Sequence, residues 1–193
     1  LWSTPRKEEG EMKRCHWVNM GNPLYVRYHD EEWGKPEHDD KKLYEMLILE
    51  SFQAGLSWEC ILNKRENFHR AFSQFDIDKI LCFTRSDVDR LAADAGIIRN
   101  RRKIEAAIAN SHVFKSIQQE WGSFDRYIWH FPRGETIVAP CTVGPTSPLS
   151  DEVSKERRRR GMKFVGSTTI YALLQSIGVI NAHGEECDLC PHR

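Results

Sequence analysis

Apolar side chains recur at three- and four-residue spacing along most of the chain, which is the period of an amphipathic helix. The clearest case begins after Asp39 or Asp40, either of which can cap it, and ends near Ala54. Gly55 interrupts the pattern, and Ser57 can cap the next helix. Strand-like alternation of polar and apolar residues is absent, so the pattern predicts an all-α fold.

The same spacing predicts further helices. Two segments lack it. Residues 15–37 are rich in aromatic residues, Gly and Pro, and we expect an irregular but well-packed segment there. Residues 132–148 hold four Pro and two Gly, which predicts a long loop. Ser150 can cap the helix that Gly161 ends. The predicted helices cover residues 41–54, 58–72, 77–83, 86–94, 101–121, 124–131, 150–160 and 168–177.

At 193 residues the chain can bury a core in one domain or in two small helical subdomains. Apolar residues make up 40% and charged residues 29%, as is typical of a soluble globular protein. No apolar run approaches the roughly 20 residues that span a bilayer, and residues 1–13 contain no hydrophobic region of a signal peptide. We therefore expect a cytoplasmic protein without a membrane partner, in which residues 1–13 form a polar tail, disordered or left from processing or expression.

The charges balance, with 28 Lys and Arg against 28 Asp and Glu. This total gives no sign of a nucleic-acid partner, which usually binds a basic domain. Two local clusters, residues 99–103 and 157–160, are nevertheless strongly basic. Each is either a solvated helix face or part of a basic surface.

A carboxylate lies on the apolar stripe of the helix predicted at 41–54. Glu50 follows Leu47 by three residues and precedes Ala54 by four, which places it on the inward face. A buried carboxylate is costly unless something hydrogen-bonds it. Glu50 is therefore either a structural residue, paired with an Arg or with backbone N–H groups, or an acceptor at the floor of a ligand pocket.

Aromatic residues are concentrated around this helix in sequence. Such residues usually belong to the core. Tyr and Trp rings around one carboxylate would also suit a flat, cationic base, because each desolvated aromatic face attracts a cation by roughly 1–2 kcal/mol. The carboxylate would accept a hydrogen bond from the base. The aromatic residues are Trp17, Tyr25, Tyr28, Trp33 and Trp58.

A turn between two predicted helices, residues 94–99, suggests a phosphate-binding hairpin. Gly96 permits a tight turn beside Ile98, and the following helix begins with free backbone N–H groups next to Arg99 and Arg101. Such a helix N-terminus binds phosphate without an excess of global charge. Many helix–Gly–helix corners bind nothing, so the motif is moderately specific.

Two thiols and two imidazoles lie at the ends of the chain: Cys15 and His29, and His183 and Cys187. Two of each make a closed tetrahedral set of the kind that a structural zinc prefers, with one Zn²⁺ per chain joining the terminal segments. The alternative is free thiols and surface histidines. His16, Cys190 and His192 are competing ligands. The other three cysteines are isolated and are interpreted as small apolar residues, since six cysteines without a secretory signal do not indicate disulfides.

The motifs together resemble the 3-methyladenine DNA glycosylase I family, in order and over about residues 14–187. The most specific part joins the segment from Tyr28 to Gly34 with the segment from Glu50 to Trp58. The matching motifs are Arg14–Val18, Pro23–Gly34, Leu49–Trp58, Asp94–Arg101 and Lys163–Gly166.

The resemblance implies a helix-hairpin-helix glycosylase domain over residues 14–193. It also implies monofunctional removal of 3-methyladenine from alkylated double-stranded DNA, which leaves an abasic site. Glu50 and Tyr28 would contact the extruded base as catalytic residues, and Trp58 would stack on it. Tyr25 and Trp33 would complete the pocket wall. Gly55 and Leu56 would probe the gap left in the duplex, and Cys15, His29, His183 and Cys187 match the family's zinc ligands.

Two other functions remain open at this point: a non-catalytic protein that binds alkylated bases, and a hydrolase with catalytic zinc. Four protein ligands leave no open coordination position, which argues against catalytic zinc. The resemblance implies no dedicated Asp that activates water. We expect a monomer with no obligate protein partner.

Overall fold

The computed structural model describes residues 12–139 and 144–191 and is mostly helical, which confirms the predicted all-α class. Cys141 and His192 lie outside these residues, as do residues 1–11 of the predicted tail. The helices are α1 (Pro23–Glu31), α2 (Asp40–Gln53), α3 (Trp58–Leu62), α4 (Arg65–Ala71), α5 (Ile77–Ile80), α6 (Arg85–Ala93), α7 (Arg101–Trp121), α8 (Phe124–His130), α9 (Pro148–Arg159) and α10 (Ser167–Ser176).

Helix α1 corrects the prediction of an irregular segment at 15–37. Pro23 occupies the first turn, where a missing N–H costs nothing, and the Asn22 side chain accepts a hydrogen bond from the Leu24 N–H. Tyr28 and His29 form its buried side. The Gly and Pro residues that flank this helix masked it in the sequence pattern.

The helix predicted over 58–72 is two helices, α3 and α4, with a break at Asn63 and Lys64. The Asn63 side chain accepts a hydrogen bond from Asn22 Nδ2 at 2.9 Å, which ties the break to the start of α1. A contact over 41 residues of sequence therefore accompanies the break, and local periodicity does not report it.

Two further expectations were wrong in detail. Ser147, rather than Ser150, is the N-cap of α9, and the two serines form a reciprocal capping box. Two short strands, β1 (Ile137–Val138) and β2 (Ile180–Asn181), pair in parallel. Each has only two residues, too few for alternation to show, and β1 lies within the predicted loop.

Helix α2 is the centre of the molecule. Ten consecutive residues, 43–52, are buried, because α2 packs against α3, α7, α8 and α10. One cluster of buried apolar side chains includes residues of most helices. The division into two helical subdomains stays a prediction. In the described residues, no helix is both long and apolar enough to cross a membrane.

Candidate active site

A cavity of about 220 Å³ lies between α1, α2, α3 and α10. It is smaller than the roughly 300–1,000 Å³ of pockets for drug-sized ligands, and its size suits one flat ring system. The structure brings all five predicted base-binding residues to its wall. The lining residues are Trp17, Tyr25, Tyr28, Trp33, Glu50, Gln53, Trp58, Ala172 and Gln175.

Glu50 is 3% exposed, and its Oε2 atom has no hydrogen-bond partner in the described residues. Burial raises the pKa of Glu50 to about 8, a shift that the neighbouring Ser176 hydroxyl only partly opposes. Nearly all buried polar atoms in folded proteins are hydrogen-bonded, so an exception requires an explanation. A ligand that offers positive charge or N–H groups supplies one.

Two aromatic residues lie against this carboxylate region. Tyr28 is buried, and its ring centroid lies 5.1 Å from that of Trp58. Burial, together with the charge of Glu50, raises the pKa of Tyr28 well above its ordinary value, so its hydroxyl remains a hydrogen-bond donor. The Trp58 indole N–H is also buried without a partner in the described residues. The cavity therefore carries both an orphaned acceptor and an orphaned donor.

Four wall residues were missing from the predicted base-binding set. Trp17 was grouped with the aromatic residues and contacts both Tyr25 and Trp33, with ring centroids 5.4 Å and 4.7 Å apart. Gln53 follows Glu50 by one helical turn, so helical spacing could have identified it. Ala172 and Gln175 come from α10, far away in sequence, and no local pattern indicates them.

A larger cleft of about 880 Å³ is also lined in part by Tyr28. Charged side chains line much of it, and several are already paired, as in the 2.8 Å contact between Arg65 and Glu32. None of its described lining residues has a buried side-chain polar atom without a hydrogen-bond partner. The smaller cavity is therefore the better candidate for recognition of a base.

The predicted gap-probing residues follow α2 directly. Gly55 has φ +82°, a conformation that few other residues adopt without strain, and it turns the chain away from Gln53. Leu56 is 41% exposed, one of the few large apolar side chains in the described residues with such exposure. An exposed apolar side chain therefore lies three residues after Gln53, which lines the cavity.

The predicted hairpin connects α6 to α7. The Gly96 carbonyl accepts a hydrogen bond from Asn67 at 2.9 Å, and Lys64 also reaches it. Arg99 is exposed and Ile98 half-buried. Arg101 is exposed, with its guanidinium 2.6 Å from the Asp89 carboxylate. Asn100 caps α7, whose first turn contains no acidic residue.

Lys103 connects the hairpin to the cavity. Its side chain is buried, and its ammonium donates to the carbonyl oxygens of Phe52 at 2.8 Å and Ala54 at 2.5 Å. These carbonyls belong to the C-terminal end of α2, where a cation is favourable. A residue of the hairpin's second helix therefore holds the turn that precedes Leu56.

Cys15, His29 and Cys187 are buried together, with their ligand atoms all within 4.8 Å of one another. His29 Nε2 lies 3.6 Å from the Cys187 sulfur, while its Nδ1 atom contacts the Asp30 carboxylate at 2.8 Å. Hydrogen bonding of one ring nitrogen leaves the other oriented for a metal. The three residues could hold a metal ion.

His183, the fourth predicted ligand, lies beside this cluster, with its ring centroid 5.0 Å from that of His29. Asn181 bonds its Nδ1 atom at 2.8 Å, whereas its buried Nε2 atom has no partner in the described residues. A free, buried imidazole nitrogen next to two thiols and a second imidazole fits a tetrahedral zinc site. Among the competing ligands, His16 is exposed, and Cys190 is buried outside the three-residue cluster.

This cluster of Cys and His residues borders the wall of the cavity. Trp33 packs edge-on against His183, and Trp17 against His29, at 4.7 Å and 5.3 Å between ring centroids. Gly34 allows the close approach, since a Cβ atom there would lie 2.8 Å from the His183 ring. The cluster that joins the two ends of the chain therefore also positions the Trp17 and Trp33 rings in the cavity wall.

Comparison with known proteins gives a consistent result. A family model described as methyladenine glycosylase matches residues 17–191. DNA-3-methyladenine glycosylase 1 of Escherichia coli (strain K12) is 44% identical over 184 residues, which cover 93% of this chain and 98% of that protein.

Solved structures agree with this match. The crystal structure of a 3-methyladenine DNA glycosylase I superposes with a TM-score of 0.89 at 42% identity and covers 93% of this chain and 100% of that chain. A structure of 3-methyladenine DNA glycosylase I from Staphylococcus aureus, described as the structural basis of 3-methyladenine recognition, has a TM-score of 0.88 at 33% identity, with coverage of 94% and 98%.

Proposed function

The chain belongs to the methyladenine glycosylase family, and we propose that it hydrolyses the N-glycosidic bond of 3-methyladenine in double-stranded DNA and leaves an abasic site. It is a DNA glycosylase for alkylated bases. The observation that carries the proposal is the buried carboxylate of Glu50, whose Oε2 atom has no hydrogen-bond partner in the described residues, in a cavity walled by Tyr and Trp rings.

Alkylation at N3 makes adenine a cation and therefore a good leaving group, so the enzyme need not protonate it. The site fits this chemistry. Glu50 is the only acidic residue among the described residues that line the cavity, and its raised pKa keeps it largely protonated when the cavity is empty at neutral pH. An entering cation favours the carboxylate, and Glu50 then releases its proton to solvent.

The aromatic wall supplies the remaining recognition. Extrusion of a damaged nucleotide costs a few kcal/mol, less than for a normal base. Trp58 stacks on the extruded base in our proposal, while Tyr28 and Glu50 contact its polar edge and Tyr25 and Trp33 enclose it. Each desolvated aromatic face contributes about 1–2 kcal/mol of cation–π attraction. Neutral adenine forgoes both this attraction and the charge-assisted hydrogen bond to Glu50, which disfavours the normal base.

The DNA backbone would bind outside the cavity. We assign the hairpin residues Gly96, Ile98, Arg99 and Arg101 to phosphate binding, with backbone N–H groups at the start of α7 as donors. Leu56, presented by Gly55, would fill the space that the extruded base leaves in the duplex. These assignments, like the helix-hairpin-helix description, rest on the family motifs and on the Lys103 contacts that join the start of α7 to the end of α2.

Release of bases from methylated duplex DNA tests the function directly. The products of incubation with the purified protein are identified by chromatography. We expect release of 3-methyladenine and little or no 7-methylguanine. Comparable release of both would overturn the narrow specificity. Binding of 3-methyladenine without release from DNA would indicate a non-catalytic protein of the same fold.

We also propose one structural zinc per chain, held by Cys15, His29, His183 and Cys187. When bound, the ion supplies structural cross-linking of the terminal segments, and none of its four ligands lines the cavity. Elemental analysis of protein purified without chelator should give about one zinc per chain. Cys187→Ser should lower Tm, whereas Cys82→Ser, at an exposed thiol, should matter much less. Protein without zinc would contradict the assignment.

A further inference from the structure

Helix α7 holds two surface loops with one face. The Lys103 ammonium donates to two backbone carbonyls that precede Gly55. The Asn110 side chain donates to the Lys163 carbonyl at 2.8 Å and accepts from the Lys163 N–H at 2.9 Å. Lys103 and Asn110 are seven residues apart, so they share a helix face and stand about 10 Å apart along the axis. Both side chains are buried, and therefore both loops are firmly attached.

Each of the two loops combines a residue of positive φ with an exposed, large apolar side chain. Gly55 has φ +82° and is followed by Leu56, which is 41% exposed. Phe164 itself has φ +55° and is 36% exposed. Positive φ is a genuine outlier for a bulky residue, and it persists only where surrounding contacts impose it. Here the bonds from Asn110 fix the adjacent residue, and the result is an aromatic ring presented to solvent.

The charges around Phe164 suit a polyanion. Lys163 and Arg158 are exposed and form no ion pair among the described residues. The Arg158 guanidinium extends along Gly166, where a Cβ atom would lie 3.2 Å from it. Asp151, which lines a surface cleft together with Arg158, already accepts a hydrogen bond from Ser167. This loop therefore combines an exposed ring with two cations that have no carboxylate partner.

The position of the loop relates it to the cavity. It leads into α10, whose residues Ala172 and Gln175 line the cavity wall. The other loop follows Gln53, a wall residue of α2. Both loops are thus continuous in sequence with helices that line the cavity, and both are held by α7.

We propose that Phe164 is a second DNA-contacting side chain, which packs against the duplex outside the site that Leu56 fills, while Lys163 and Arg158 bind neighbouring phosphates. The inference rests on the proposed action on duplex DNA and extends the DNA surface beyond the hairpin and Leu56. Phe164 acts on binding of the duplex and not on recognition of the base.

Phe164→Ala tests this with three measurements: Tm, affinity for free 3-methyladenine, and affinity for a duplex that contains a stable abasic-site analogue, measured by fluorescence anisotropy. We expect unchanged Tm and base affinity and about tenfold weaker duplex binding, as for loss of one aromatic contact to a base. Val138→Ala, at a side chain that is 39% exposed on β1, is the matched control and should bind the duplex like the wild type.

Duplex affinity of Phe164→Ala within twofold of the wild type would overturn the proposal. Should Phe164→Ala prove unstable, Phe164→Leu keeps an apolar side chain and should retain part of the duplex affinity. Lys163→Gln should reduce the slope of log affinity against log salt by about one, and an unchanged slope would exclude the phosphate contact. Failure of the proposed function appears separately, as absence of base release by the wild type.

Discussion

Helix α2 carries two buried carboxylates in different surroundings. Glu45 is 6% exposed and Glu50 is 3% exposed, so burial alone does not distinguish them. Glu45 accepts a hydrogen bond from Arg65 Nε at 2.6 Å and contacts His69 Nε2 at 2.9 Å. Arg65 in turn pairs with Glu32. Glu45 is thus a paired structural carboxylate. This role is one of the two alternatives that the sequence pattern indicated for Glu50.

Glu50 has no such network. Its Oε2 atom is unpartnered among the described residues, and burial raises its pKa to about 8. Evolution of a stable core would remove or pair such a group, because an unmet buried carboxylate costs free energy. The comparison therefore separates structure from function by hydrogen-bond satisfaction and not by burial. A buried carboxylate with its hydrogen bonds satisfied holds helices together. One that lacks hydrogen-bond partners and lines a cavity is available to bind a ligand.

The largest expected effect is on stability against pH. The pKa of Glu50 rises from 4.5 to about 8 on folding, so the folded protein binds this proton more tightly than the unfolded chain. Its contribution to stability is full below about pH 4.5 and is lost as the pH rises through 8. Glu50→Gln stays neutral, so it should equal the wild type near pH 4 and be more stable by about 3–5 kcal/mol near pH 9.

Urea unfolding of both proteins across this range measures the difference. A Glu50→Gln variant that is less stable than the wild type at every pH would contradict the comparison and would show that Glu50, like Glu45, has a structural partner.

The second expected effect concerns Glu45. Glu45→Gln removes the acceptor of Arg65 and His69, and breaking a buried pair in this way is strongly destabilising. Because Glu32 still pairs with Arg65, we expect a loss of about 2–4 kcal/mol in the free energy of unfolding. Affinity for 3-methyladenine should be unchanged. Urea unfolding and base titration measure the two quantities.

Glu31→Gln is the matched control, since Glu31 pairs with Arg27 at 3.3 Å with both side chains more than 60% exposed. It should change stability by less than about 1 kcal/mol. A Glu45→Gln protein that keeps its stability but loses base affinity would reverse the assigned roles.

The smallest expected effect is on base binding by Glu50→Gln. Loss of a charge-assisted hydrogen bond costs about 1.5–3 kcal/mol, which is roughly 10- to 150-fold in affinity. The titration with free 3-methyladenine is made near pH 8.5, where the wild-type carboxylate is mostly ionised. Unchanged affinity for the base would show that Glu50 is only a structural core residue.

Local pattern predicted much of this molecule. Helix α7 spans the predicted residues 101–121, because its apolar period and its cap are encoded within the segment. The inward position of Glu50 and the group of aromatic residues also follow from spacing and from proximity in sequence. These properties depend on a few neighbouring residues, and short-range physical chemistry is sufficient to predict them.

Long-range contacts decided the rest. The break between α3 and α4 accompanies a contact with Asn22, and the pairing of β1 with β2 joins segments 43 residues apart. Ala172 and Gln175 reach the cavity only because α10 packs on α2. Spacing placed Glu50 inward, but only the packed structure left its Oε2 atom without a partner among the described residues and gave Glu45 two partners. A pattern along one helix determines which face a side chain occupies, whereas its hydrogen-bond partner depends on which distant helix packs there.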